Sequence, residues 1–70
     1  MTAQEWVRTF AERVGAEPPG QEQIDEILKL ASVAAHSSER IAAPIACWIA
    51  GTTGRPLAEL RAAAEELGES

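Results

Sequence analysis

The stretch Gln21-Glu-Gln-Ile-Asp-Glu-Ile-Leu-Lys-Leu-Ala-Ser-Val-Ala-Ala-His36 decides the fold. Ile24, Ile27, Leu28, Ala31, Ala34 and Ala35 recur at three- and four-residue spacing, which puts them on one face of a helix. Leu30 and Val33 lie off that stripe, so the helix is expected to touch neighbours on two sides. Glu22, Asp25 and Glu26 sit in its early turns, where the positive end of the helix dipole favours acids. The small residues Ala31, Ala34 and Ala35 leave room for another backbone, and His36-Ser37-Ser38 ends the helix or bends it.

Working outward, Glu17-Pro18-Pro19-Gly20 cannot continue a helix, because two prolines remove amide donors and fix φ. Before that turn, Thr2 and Glu5 have the spacing of a capping box. Trp6, Val7, Phe10 and Val14 then form an apolar face, and Gly15 stands where a left-handed residue ends a helix. Arg8 and Glu12 are spaced to pair on the opposite face for about 0.3 kcal/mol. After the central stretch, Pro44 fits the first turn of a third helix, whose inner face is read as Ile45, Trp48, Ile49 and Thr52. With Ala46, Cys47 and Ala50 covering the rest, that helix is apolar nearly all round and is expected to be buried. A fourth helix follows Arg55-Pro56, with Leu57, Leu60, Ala64 and Leu67 at a seven-residue repeat and Gly68 closing it. The expected architecture is all-α: one compact bundle of about four helices, roughly 3–14, 21–36, 43–53 and 56–67, in a single domain spanning 1–70. Trp6 and Trp48 are expected to be anchors of its core.

Seventy residues make a marginal domain that needs a dense core, a partner or a staple. One cysteine, Cys47, cannot close a loop within the chain, and a lone thiol suits a reducing compartment. Met1 to Glu5 does not resemble a signal peptide. The longest uncharged run, Ile41–Gly54, has 14 residues, short of the roughly 20 that cross a membrane. A cytoplasmic, membrane-free protein is expected. The net charge is -5, distributed as -3 over residues 1–29, zero over 30–54 and -2 over 55–70. Six scattered basic residues make no phosphate-binding stripe, which excludes nucleic acid as the expected partner.

Chemistry-bearing residues are few. One Cys and one His cannot supply the three or four ligands of a zinc site, and Cys47 reads as an inert thiol in an apolar helix. Gly51-Thr52-Thr53-Gly54 lacks the lysine and the preceding strand of a phosphate loop. No catalytic residue, metal or cofactor is expected. The candidate binding corner is His36, Glu39 and Arg40, where one helix ends and the next begins. Arg40 stands at the lip of the uncharged middle. It either pairs with Glu39 as a clasp between helices or receives a carboxylate or phosphate, with amides at the start of the third helix as further donors.

The segment Leu28-Lys-Leu-Ala-Ser-Val-Ala-Ala-His36, with Glu39-Arg40, Ala42-Ala43-Pro44 and Ile45-Ala-Cys-Trp48-Ile49-Ala50-Gly51, resembles a small actinobacterial helical domain family of unknown function. Members stand free or are fused to nucleotidyltransferases like the one that attaches GMP to molybdopterin. The resemblance covers roughly residues 6–67, and His36, Arg40 and Pro44 fall on its typical positions. It implies a non-catalytic accessory domain near molybdenum-cofactor biosynthesis, and it implies no catalytic residues. The leading expectation is thus a protein-interaction domain, its partner a molybdenum-cofactor enzyme or a second copy of itself. The alternatives are a domain that binds a small anion such as a phosphate or pterin, and a structural homodimer that shares its apolar centre.

Overall fold

The computed structural model describes residues 1–69, with side chains through residue 68, and all four expected helices are present. They are α1 (Ala3–Val14), α2 (Gln21–Ser37), α3 (Ala42–Thr53) and α4 (Leu57–Glu69). The capping box of α1 forms: Glu5 N donates to Thr2 Oγ1 at 3.1 Å, and Thr2 N donates to Glu5 Oε1 at 3.3 Å. Gly15 ends the helix at φ 76°, a left-handed conformation that a Cβ would disfavour. The Pro-Pro-Gly turn leads into α2, where Gln23 Oε1 accepts from Gly20 N at 2.8 Å and secures the new helix start.

The helices α3 and α4 both pack along α2, which is the scaffold of the fold. Arg61 on α4 donates from Nε to Glu26 Oε2 at 2.6 Å near the start of α2, and its Nη1 donates to Glu65 Oε1 at 2.9 Å. The two carboxylates raise the Arg61 pKa further, Glu26 contributing most. At the other end of the interface, a Cβ on Gly68 would lie 2.6 Å from Ser37 Oγ. Glu26 faces Arg61 and Ser37 faces Gly68, so α4 runs in the same direction as α2. Gly68 therefore lies within α4 and permits close approach, rather than capping the helix as its sequence position suggested. Between α2 and α3, the Cys47 thiol donates to the Ile27 carbonyl at 4.0 Å, a sulfur-length hydrogen bond. The three helices meet at Leu30, which shares a crevice with Ala46, Ile49, Ala50 and Leu60.

The interior is far smaller than the sequence led us to expect. Among the described residues only Ala11, Leu30 and Ala50 are buried apolar side chains, at 6%, 5% and 6% exposure. Leu30, read as off the apolar stripe of α2, is its one buried side chain, whereas Leu28 on that stripe is exposed. Trp6 and Trp48 are not core anchors: they are 56% and 73% exposed. Helix α3 is apolar nearly all round yet rests on α2 by one side only, leaving Ile41, Ile45, Trp48 and Ile49 in solvent. The physical reason is arithmetic. Two helices placed on one cannot cover each other's outer faces, and α1 makes no extensive interface with any of them. The expected Arg8–Glu12 ion pair does not form.

Leu30→Ala tests where the core lies. Emptying that seam should cost about 2–5 kcal/mol. A core this size supplies about 3–5 kcal/mol. The variant should therefore lose most of its far-ultraviolet helical signal at room temperature. A wild-type melting curve would show that the fold is held elsewhere.

Candidate functional site

The corner singled out from sequence begins where α2 gives way to α3. His36, Glu39 and Arg40 are all exposed there. His36 Nδ1 lies 3.2 Å from Ser32 Oγ, one turn back on the same helix, so its imidazole is engaged locally rather than with Arg40. The carbonyl of Glu39 accepts from Ala42 N at 2.9 Å, and that of Arg40 accepts from Ala43 N at 3.1 Å. Pro44 follows and has no N–H to give. The first amides of α3, which would cradle an anion, are thus occupied by the turn that precedes them. Among the described residues neither Glu39 nor Arg40 takes part in an ion pair. His36 lies in the last turn of α2, while Glu39 and Arg40 lie in the link to α3, and no ion pair joins them.

A larger feature adjoins that corner. Since α3 and α4 lie on α2 without an extensive interface between them, an open groove of ≈ 470 Å³ runs between the two. Leu30, Val33 and Ala34 of α2 form its floor, and Ile41, Ile45 and Ile49 line it from α3. The lining is apolar except at one end, where Ser37, Ser38 and Glu39 close it. Of the sequence-predicted residues, Glu39 alone reaches this groove. Immediately outside it, Trp48 projects from α3 on the same helical stripe as Ile41 and Ile45. Sequence reading took these side chains as core. The signal that could have found them is length: the chain has only three other helices to cover an α3 that is apolar on every side.

Chemistry elsewhere is sparse. The Cys47 thiol is partly buried against α2, and burial pushes its pKa above the ordinary thiol value. Among the described residues no three His, Cys, Asp or Glu side chains are grouped to hold a metal ion, and no helix is long and apolar enough to cross a membrane.

Residues 1–69 match the model of a family described as a domain of unknown function, DUF6457. No curated protein and no solved structure matches the chain.

Two measurements check this site. Arg40→Ala removes a side chain without an ion pair and should change unfolding free energy by less than about 0.5 kcal/mol. A larger loss would mean that the corner is a clasp after all. Cys47, with its thiolate suppressed by burial, should react with iodoacetamide much more slowly in the folded chain than in denaturant at the same pH. Equal rates would contradict the packing of α3 on α2.

Proposed function

The chain belongs to the DUF6457 family, and on that premise we propose that it is a non-catalytic, cytoplasmic interaction domain that docks a protein partner on the exposed side of α3. The observation that carries the reading is Trp48. An indole 73% exposed, on a helix whose residues 41–54 carry no charge, is costly to leave in water and typical of residues that dominate binding interfaces. Ile41 and Ile45 extend the same stripe, and no charged residue falls between Ile41 and Gly54. The setting we propose comes from the central motif's resemblance to domains fused to molybdopterin guanylyltransferases: an accessory role beside an enzyme of molybdenum-cofactor maturation. Anion binding at the His36–Arg40 corner has less support, since the amides it would use already serve the turn.

Calorimetric titration of the chain against a molybdopterin guanylyltransferase tests both halves. Saturable binding is expected, weakened about 30-fold or more in Trp48→Ala, the loss typical of a binding hot spot. The variant should keep the wild-type helical signal, because the ring adds little to the folded chain on its own. No binding by the wild type would remove the pathway assignment, and equal binding by the variant would remove the surface.

A further inference from the structure

The structure leaves a helix without a seat and a seat without a helix. Helix α1 faces the start of α2 through Gln4, Val7 and Arg8, which share a crevice with Pro18, Gln21 and Ile24. Beside that narrow inner side runs a second stripe, Trp6, Phe10 and Val14, all exposed, with the Trp6 and Phe10 rings stacked at 5.3 Å between centroids. The groove between α3 and α4 begins farther along, at Leu30, and no residue of α1 lines it. Ile24 and Leu30 are six positions apart, which in a helix is about 9 Å.

We propose that the groove receives the aromatic stripe of α1 from a second copy of this chain, so that two copies form a symmetric dimer in which each lends its first helix to the other. Area comes first. The described chain exposes 5493 Å², whereas a folded monomer of its mass, 7.5 kDa, exposes about 4,200 Å². The excess of about 1,300 Å² per chain would bury about 2,600 Å² in a pair, which is the size of an obligate homodimer interface. Shape comes second. Trp6, Phe10 and Val14 lie at positions i, i+4 and i+8, and the groove lip Ile41, Ile45 and Ile49 has the same spacing. Each row spans about 12 Å, and rows of four-residue spacing interdigitate in the commonest mode of helix packing. Charge comes third. Arg13, beside the stripe on α1, takes part in no ion pair among the described residues, and Glu39 at the polar end of the groove is likewise unpaired. A two-fold axis makes the exchange reciprocal, so both stripes and both grooves are filled at once.

This inference goes beyond the docking of a foreign partner; the two share Ile41 and Ile45, and they are told apart by Trp48→Ala, outside the groove, and Phe10→Asp, on α1. Sedimentation equilibrium and native mass spectrometry of the full chain should give a dimer at micromolar concentration. Phe10→Asp, which spoils the lent helix, and Ile45→Asp, which spoils the seat, should each weaken dimerisation about 30-fold or more. Mixing the two variants should restore a hetero-dimer, since one intact helix then meets one intact groove. If either variant is unfolded alone, mixing should restore helical signal together with the hetero-dimer. A folded wild-type monomer at these concentrations would overturn the proposal. A dimer indifferent to Phe10→Asp, or a mixture that restores neither mass nor helicity, would overturn it too.

Discussion

The fold depends on one helix serving as the base for two others. α2 carries Leu30, the side chain at which α3 and α4 converge, together with Glu26, which receives Arg61 from α4. Every other apolar face is then arranged by what α2 can reach. A helix offers about 100° of apolar stripe to one neighbour. With α3 on one side of α2 and α4 on another, the two are held apart, and the groove between them follows. The small residues of α2 and α3 let the backbones come close, but small side chains also fill little volume. That is why the one buried residue of α3 is an alanine, Ala50.

The consequence is a chain whose shape is looser than its length requires. Its radius of gyration is 12.6 Å with extents of 39 × 24 × 18 Å, against about 11 Å for a compact domain of this length. Alanine, leucine and isoleucine supply much of the composition, and 46% of all residues are hydrophobic. With so few of those residues covered, conformational entropy is poorly opposed inside a single copy. Surfaces of this kind mark interaction sites when they are large, and that is the basis on which association is proposed for this chain.

Helix number and limits were legible in the sequence because they are set locally. The Thr2–Glu5 box, Gly15, the Pro18-Pro19-Gly20 turn and Pro44 each act within a turn of their own position, and all of them operate as the local rules require. Burial was not legible. It depends on which helices become neighbours, and periodicity alone does not say whether an apolar stripe meets a helix of its own chain. Leu28 and Leu30 show the difference: the first matches the stripe and is exposed, the second departs from it and is buried. The binding corner was half legible. Its residues do stand where α2 ends and the link to α3 begins, but the backbone hydrogen bonds of Ala42 and Ala43 that occupy its donors arise from the link's conformation. The groove escaped sequence reading altogether, since it is created by the gap between α3 and α4.

An interaction domain built this way would couple its stability to its occupancy. On the proposed reading, partner binding and folding would draw on the same apolar surface, so a chain without a companion would be the weaker species. The measurement that bears most directly on this is the melting temperature as a function of protein concentration, followed by circular dichroism. If the single chain leaves its core to be completed by association, the melting temperature rises steadily with concentration. A melting temperature that stays constant, with a cooperative transition at the lowest concentration, would show that one copy is sufficient and that its exposed faces cost it nothing.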